Sequence, residues 1–316
     1  MRSAHPSVGY ESWYLKASHP LEPLGVWIRY TTHTKRGGVE RGSLWFTLFG
    51  PGPSAVKLTP GPESLSRGGG QFIRIADSVF AAGRVFGSAS GASWDLTFEH
   101  PEPELRHLPR DWMYRAPVPR TKLVSPFPAA RFSGQVSLGA RTIQLDRWPG
   151  MVGHNWGSQH AERWIWMHGA SFDGRGLDTW LDIAIGRIRI GPWTTPWIAN
   201  GVLSLEGVRQ RVGGIERARA TRIDEHPDHA NFTLPGAGLT ITGSVGAPRD
   251  RFVGWVYADP DGSAHHTVNC SIAQMRLTVA LADSAPIELA TSHGAAYELG
   301  MRESDHGMAI QPFGDG

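Results

Sequence analysis

The chain has 316 residues, and its 31 basic and 29 acidic residues leave a formal net charge of +2 at pH 7. Because the arginines are scattered rather than gathered on one face, this balance predicts no nucleic-acid partner. Hydrophobic residues make up 40% of the chain and charged residues 19%, and 39 glycines and 23 prolines are spread along it. Such a composition is typical of many short strands joined by turns, and the length suits two domains of roughly 150 residues.

The cysteine and hydropathy patterns bear on the cellular compartment. Cys270 is the single cysteine, so no disulfide can form within the chain, and a buried free thiol is the default for such a residue. Residues 1–30 lack a signal-peptide pattern, and no stretch approaches the roughly 18 consecutive apolar residues of a membrane span. We therefore expect a cytoplasmic protein without a transmembrane segment. Peripheral contact with a membrane and the oligomeric state stay open.

The first half of the chain predicts strands. Large apolar side chains recur at every second position, which places them on one face of a half-buried strand. A short helical piece is predicted at residues 103–110. The predicted strands are residues 11–17, 24–31, 42–49, 72–76 and 93–99, and clusters of glycine and proline separate them.

The second half continues the same alternation. Gly139 and Ala140 form a predicted hairpin turn, and Pro260 and Gly262 mark a further turn at residues 259–262. Many short antiparallel strands with regular turns predict an all-β sandwich or barrel. The predicted strands are residues 132–138, 141–145, 163–172, 179–189, 197–205, 220–223, 231–234, 239–245, 251–257, 274–281 and 287–289.

The domain boundary is predicted from the stretch of lowest periodicity. Residues 108–128 contain five prolines and no clear alternation. We therefore predict one β domain over residues 1–126 and a second over residues 127–316, the second carrying a His-Asn-Trp segment.

This segment, residues 150–169, holds the best candidates for chemistry. Alternation places His154 and Trp156 on one face of a strand and Asn155 on the other. Indole faces are apolar and attract cations, which suits the wall of a ligand cavity. If the next strand forms a hairpin with this one, the cavity would gain Trp164, Trp166 and His168.

Later strands add further candidates, and together these residues predict acid–base chemistry. An imidazole beside a carboxylate in a dry pocket transfers protons, and indoles stabilise a developing carbocation. We therefore predict proton-initiated hydration, cyclisation or isomerisation of a hydrophobic small molecule. His154 or His168 would transfer the proton, and Asp182 or Asp259 would orient the histidine or donate the proton. The predicted ligand-binding residues are Asn155, Trp156, Trp164, Trp166, Trp180, Trp255 and Tyr257.

Two histidine groups bear on metal binding. His265 and His266 are adjacent, and the loop at residues 226–229 carries two histidines around Asp228. Neither spacing matches a helix-borne zinc motif, so we expect no metal and no cofactor.

The segment also carries a family resemblance. Gly150, the run 154–157, Trp164, Trp166 and Gly169 resemble the central motif of the AttH-like and carotenoid 1,2-hydratase (hydroxyneurosporene synthase) family. Tocopherol cyclase and lipocalin-like pericyclases are more distant relatives. Residues 11–14 and 294–299 are similar to the opening and closing strands of that group.

The resemblance implies two lipocalin-like β-barrels side by side, with a ligand cavity at or near their junction. It implies chemistry of secondary metabolism on isoprenoid or polyketide-like ligands, usually without a metal or organic cofactor. His154 and Trp156 would line the cavity. The family commonly has an acidic residue just before the histidine, whereas this chain has Gly153, which removes an obvious proton donor.

Three functions follow from the same residues. The first is an enzyme, a hydratase (lyase) or an isomerase or cyclase. The second is a carrier that binds a lipid or another hydrophobic ligand without chemistry, as lipocalin-like folds often do. The third is a structural or interaction protein whose tryptophans are core residues.

Overall fold

The first half of the chain folds into one curled antiparallel sheet. The computed structural model describes residues 9–282 and 284–314, so the ends of both predicted domains, residues 1–8 and 315–316, lie outside the described residues. The twelve strands of this first sheet are β1 (Gly9–Ser18), β2 (Gly25–Thr34), β3 (Arg41–Phe49), β4 (Ser54–Leu58), β5 (Leu65–Gly68), β6 (Gln71–Ile75), β7 (Ser78–Ala81), β8 (Arg84–Ala89), β9 (Ala92–Glu99), β10 (Leu105–Arg106), β11 (Thr121–Leu138) and β12 (Arg141–Gly157).

The second half forms a second curled sheet beside the first. A separate two-stranded ribbon, β15 and β16, lies off its ten strands. The strands are β13 (Arg163–Gly169), β14 (Trp180–Arg187), β15 (Arg189–Ile190), β16 (Trp193–Thr194), β17 (Ile198–Leu205), β18 (Val208–Gly213), β19 (Arg222–Glu225), β20 (His229–Pro235), β21 (Leu239–Gly246), β22 (Val253–Ala258), β23 (Ala264–Leu281) and β24 (Ile287–Met301).

The order of strands brings distant segments together. The first sheet runs β4-β3-β2-β1-β12-β11-β9-β8-β7-β6-β5, with β10 beside β11. Its first strand along the chain, β1, therefore pairs with its last, β12. The second runs β18-β17-β14-β13-β24-β23-β21-β20-β19, with β22 beside β23. Four short 3-10 helices connect strands, at Pro62–Ser64, Asp111–Tyr114, Ile215–Arg217 and Arg249–Arg251. Among the described residues, no helix is long and apolar enough to cross a membrane.

Each sheet wraps an apolar core. Strand β9 shows the expected alternation, because Trp94, Leu96 and Phe98 are buried and the residues between them are exposed. Strand β1, by contrast, is buried on both faces. One face carries Trp13 into the first core, and the other faces the second sheet with polar side chains such as Lys16. The wall formed by β1 and β12 therefore separates two buried environments.

The predicted fold class and strands are confirmed. The molecule is an all-β protein of two lipocalin-like sheets side by side, and every predicted strand overlaps an observed one. The turns at residues 139–140 and 259–262 also form, with positive φ at Gly139 and Gly262. Short strands such as β5, β7 and β10 were not predicted, because a few residues carry too little alternation to detect.

The helical piece predicted at residues 103–110 is wrong. Leu105 and Arg106 form β10 against β11, and the helical turn comes later, at Asp111–Tyr114. Pro103 and Pro109 bracket the segment, and the residue before a proline is pushed toward extended backbone.

The predicted boundary at residue 126 falls inside β11, whereas the chain passes from the first sheet to the second between Gly157 and Arg163. The prolines at 126 and 128 do not mark a linker. They lie in a long strand whose register shifts between Val124 and Phe127 and again before Ala130. Such irregular positions tolerate a residue without an N–H. The His-Asn-Trp segment accordingly belongs to the first sheet, and the division into two domains stays a prediction.

Candidate functional site

The predicted site residues occupy three places rather than one. Strands β12 and β13 do not pair, since β12 lies between β1 and β11 and β13 lies between β14 and β24. The hairpin that would have joined both sets in one cavity is therefore wrong. His154 and Trp156 point into the first half-barrel, on the face of Trp13. Trp166 and His168 instead face the space between the two sheets.

The first place is the Glu11–His154 site, formed by Glu11, Trp13, His154 and Trp156 together with Arg67. The cross-strand register of β1 and β12 sets it, because Glu11 lies opposite Trp156 and Trp13 lies opposite His154. Nε2 of His154 lies 3.0 Å from Oε1 of Glu11. Its imidazole stacks on Trp13 with ring centroids 3.6 Å apart and on Trp156 at 4.6 Å.

The hydrogen bonding of His154 leaves one nitrogen available. Both His154 and Glu11 are almost fully buried, at 3% and 2% exposure. Burial lowers the pKa of His154 from its ordinary value, and the hydrogen bond to the Glu11 carboxylate opposes that shift. The geometry assigns the Nε2–H as donor to Glu11. Nδ1 has no hydrogen-bond partner among the described residues, so its lone pair can accept a proton.

The site is held by charged side chains and is bordered by the half-buried Trp156. Arg67 lies 3.5 Å from the second oxygen of Glu11 and makes a bidentate pair with Glu40 at 2.7 and 3.0 Å. Trp156 is only half-buried, so the ring stack reaches the protein surface. Asn155 lies on the opposite face of β12, across from Ser12, and does not join this site.

Gly153, next to the histidine, has no room for a side chain. A Cβ atom there would lie 2.2 Å from Cζ of Tyr14 and 2.4 Å from its hydroxyl oxygen. The position also faces the second sheet, away from His154. An acidic residue at 153 would therefore clash with Tyr14 and would not reach the Glu11–His154 site in this chain.

The second place is the inter-sheet site, formed by Lys16, Ser125, Trp166, His168 and Asp182. It is sealed, because none of the five is more than 5% exposed. Trp166 donates to Oδ1 of Asp182 at 3.1 Å, and the Ser125 hydroxyl donates to Oδ2. Lys16 of β1 donates to the carbonyl of Gly294 of β24 at 2.7 Å, which ties the two sheets together.

Burial shifts the pKa values of the ionisable side chains in the inter-sheet site. It lowers the pKa of His168 to about 4, helped by the charge of Lys16, and it lowers that of Lys16 to about 7. Burial would raise the pKa of Asp182, but His107, whose Nε2 lies 3.5 Å away, and Ser125 hold it below its ordinary value. Nε2 of His168 donates to the carbonyl of Pro128 at 2.9 Å. At neutral pH, His168 is therefore neutral and Asp182 is ionised.

The third place is the Asp259 cluster, formed by His160, Asp259 and His265. Oδ1 of Asp259 accepts from the backbone N–H and from Nδ1 of His160, at 2.8 and 2.7 Å. Nδ1 of His265 lies 3.4 Å from Oδ2. Trp164 stacks near His160 at 5.3 Å, and Tyr257 lies beyond it at 5.9 Å.

The two remaining predicted ligand residues are core residues. Trp180 is fully buried with Leu105, Ala129 and Val202, and Trp255 is fully buried edge-on to Trp45 at 4.9 Å. The structure does not bring either of them to His154. An open groove of about 640 Å³ crosses the second sheet between Arg222 and Thr278 and carries none of the predicted site residues.

Sequence reasoning missed several residues that complete these sites. Glu11 and Trp13 stood in a predicted strand, but nothing in their own alternation shows that β1 pairs with a segment 143 residues away. His160 lies in a turn without periodicity. His265 was considered as a metal ligand beside His266 and set aside. The missed residues are Glu11, Trp13, Arg67, Lys16, Ser125, His107 and His160.

No family model matches the chain. The Mycobacterium tuberculosis proteins "Uncharacterized protein Rv0493c" (strain H37Rv) and "Uncharacterized protein MT0513" (strain CDC 1551) are each 27% identical to it over 291 residues. Both alignments cover 84% of this chain and 80% of the relative.

Two solved structures have a similar fold. A Nitrosomonas europaea protein (NE1406) provisionally assigned to AttH superposes with a TM-score of 0.58 at 14% identity, covering 95% of this chain and 94% of that one. Kievitone hydratase of Nectria haematococca superposes with a TM-score of 0.52 at 10% identity, covering 93% and 89%. At these identities the likeness is one of fold alone.

Proposed function

We propose that this protein is an acid–base enzyme of the hydratase class that acts on a hydrophobic small molecule at the Glu11–His154 site. One observation carries the proposal. A buried imidazole, stacked on two indoles and bonded to a carboxylate through one nitrogen, keeps its other nitrogen free of protein partners. His168 also has a ring nitrogen without a partner among the described residues, but its surroundings are sealed, whereas His154 lies beside the half-buried Trp156.

The chemistry follows from the environment of His154. Protonated His154 donates its Nδ1 proton to an alkene carbon of the ligand, and the neighbouring carbon becomes cationic. Water adds to that carbon and returns a proton to Nδ1, so the net change is one water added across the double bond. Because burial lowers the pKa of His154, its imidazolium is a stronger acid than a free one. The Glu11 carboxylate stabilises the imidazolium while it exists.

The aromatic walls suit such a reaction. Trp13 and Trp156 both stack on the imidazole, so their faces stabilise its positive charge when His154 is protonated. The fold likeness to kievitone hydratase favours water addition over the other proton-initiated reactions, and the motif resemblance favours an isoprenoid or polyketide-like ligand. His168 and Asp182 take a structural role in this proposal, since both are sealed between the sheets.

The test begins with the ligand. The protein is purified from its own host, native mass spectrometry measures what is bound, and the extracted molecule is identified. Incubating protein and ligand in ¹⁸O-labelled water then reports hydration as label in the product. We expect one hydrophobic ligand per chain and labelled product, and we expect His154→Gln to slow its formation by roughly 10²–10⁴-fold.

A control separates chemistry from damage to the fold. His226 is half-exposed on the second sheet, and His226→Gln should leave the rate unchanged. Recovery of the ligand unlabelled and unaltered would favour the carrier over the enzyme. Equal rates for the wild type and a folded His154→Gln variant would remove His154 from the mechanism.

A further inference from the structure

Outside the proposed acid–base site, three metal-ligating side chains meet at the Asp259 cluster. His160 lies in the turn between the two sheets, Asp259 in the β22–β23 turn, and His265 at the start of β23. We infer that His160, Asp259 and His265 bind one divalent transition-metal ion of the zinc class. Imidazole nitrogens and a carboxylate oxygen suit such an ion.

The distances fit a single ion. One ligand atom from each of the three residues lies within 4.8 Å of the others. Nδ1 of His160 is 2.7 Å from Oδ1 of Asp259, and Nδ1 of His265 is 3.4 Å from Oδ2. Zinc bonds of about 2.0–2.2 Å place tetrahedral ligand atoms about 3.4 Å apart. When an ion binds, Nδ1 of His160 must give up the proton that it shares with Oδ1 of Asp259, and these two atoms must separate from 2.7 Å toward the ligand spacing.

His265 supplies an independent sign of a ligand. Its side chain is fully buried, and within the described part of the chain its ring nitrogens make no hydrogen bond of regular geometry, the backbone of Ala161 being the one hydrogen-bonding group that acts on its pKa. A buried polar group left in this state costs roughly 1–3 kcal/mol. A metal bond at Nδ1, the nitrogen that faces Asp259, satisfies that nitrogen.

Hydrogen bonds already hold the Asp259 carboxylate in place, as they commonly do for the ligands of a metal ion. The backbone N–H of His160 donates to Oδ1 of Asp259 at 2.8 Å, and the Ser263 hydroxyl donates to Oδ2 at 3.1 Å. Arg302 approaches Oδ2 at 3.8 Å, but it is about one third exposed and also pairs with Glu162 at 3.7 Å. Its charge can therefore turn toward Glu162 when an ion binds.

The sequence pattern missed this site because its ligands come from separate turns. His265 does not use the adjacent His266, whose Nδ1 lies 3.0 Å from Nε2 of His306. It uses His160, which precedes it by more than a hundred residues. With three protein ligands the ion keeps a position open for water, which is the arrangement of catalytic rather than structural zinc.

The test is direct metal binding, which does not depend on turnover of any ligand. The full chain is dialysed against a chelator and titrated with Zn²⁺ by calorimetry, and Co²⁺ is added in parallel to read its visible absorption. We expect one Zn²⁺ per chain and a cobalt spectrum of low-symmetry nitrogen and oxygen coordination. His160→Ala and His265→Ala should weaken binding by more than the roughly 10–100-fold that loss of an outer partner costs.

Matched variants keep the inference falsifiable. His266→Ala removes the neighbouring imidazole and should leave Zn²⁺ affinity unchanged, whereas Ser263→Ala should weaken it by roughly 10-fold. Circular dichroism checks that each variant is folded, and His160, which is 11% exposed, is the ligand that the fold tolerates losing best. Stoichiometric binding that survives in both His160→Ala and His265→Ala, or no binding by the wild type, would overturn the proposal.

Discussion

His154 and His168 lie on consecutive strands of the chain, and each is near a carboxylate, yet their surroundings differ. His154 bonds Glu11 inside the first half-barrel, where the half-buried Trp156 leads to the surface. His168 lies opposite Asp182 in the layer between the sheets, where every neighbour is buried. The difference shows that a histidine–carboxylate pattern decides little by itself. The face of the wall on which the pair lies decides whether a half-buried side chain borders it, as Trp156 borders His154, or whether it is sealed, as His168 is.

Replacing each carboxylate by its amide separates the roles of the two histidine sites, and the largest effect is expected for Glu11. Glu11→Gln removes the charge that stabilises protonated His154, so turnover of the identified ligand should fall by roughly 10²-fold or more, measured as initial rates. Glu40→Gln is the matched control, because it removes the other carboxylate bonded to Arg67 but none bonded to His154. A Glu11→Gln enzyme as fast as the Glu40→Gln enzyme would exclude the pair from catalysis.

Replacing Asp182 should lower the stability of the protein rather than its turnover of ligand. Asp182→Asn leaves His107 and Ser125 facing a neutral amide in a sealed layer, which should cost about 3 kcal/mol in the free energy of unfolding. Urea denaturation measures the loss. Asp95→Asn removes a carboxylate from an exposed pair with Arg84 and should cost less than about 1 kcal/mol.

The same variant also tests which site is catalytic. Under conditions in which the Asp182→Asn protein is folded, without urea, it should turn over ligand at the wild-type rate. A folded variant that lost turnover would place the proton donor between the sheets instead of in the first half-barrel.

The stability of the inter-sheet layer should depend on pH through His168. The unfolded chain binds a proton on this histidine near pH 6.5, whereas the native state does so only near pH 4. Between these values the unfolded state holds more protons, so stability is lost as the pH falls from 6.5 toward 4, by up to about 3 kcal/mol. Urea unfolding at several pH values measures this slope.

A variant of His168 tests whether this histidine causes the pH dependence of stability. His168→Gln should flatten the dependence between pH 6.5 and 4, and His226→Gln, which removes a half-exposed histidine, should not. Equal slopes in the wild type and His168→Gln would mean that the acid sensitivity arises elsewhere, for example at His265, whose pKa burial also lowers to about 4.

The sequence predicts the fold well because strand alternation is a local property. Leu96 and Phe98 reveal the inward face of β9 without knowledge of its partners. The sites depend instead on which strands pair with each other. His154 and Trp156 were predicted together and do share a face, but the assumption that β13 follows as a hairpin joined them to His168. No local pattern distinguishes a tight turn within one sheet from a crossing between two sheets.

The smallest expected effect concerns the wall between the two environments. Gly153 lies beside His154 in sequence but faces the second sheet, where a Cβ atom would meet the ring of Tyr14 at 2.2 Å. Tyr14 packs edge-on against Trp166 with ring centroids 5.4 Å apart, so it can give way only by disturbing the inter-sheet layer. Gly153→Ala should therefore cost about 1–3 kcal/mol in the free energy of unfolding, measured by urea denaturation.

Gly186→Ala is the matched control for that variant. It also adds one methyl group within a strand, but there the new Cβ atom meets Ala161 at an ordinary 3.7 Å. Its free energy of unfolding should stay within about 0.5 kcal/mol of the wild type. If Gly153→Ala were as stable as Gly186→Ala, Tyr14 would have space to move, and its packing against Trp166 would not restrict position 153.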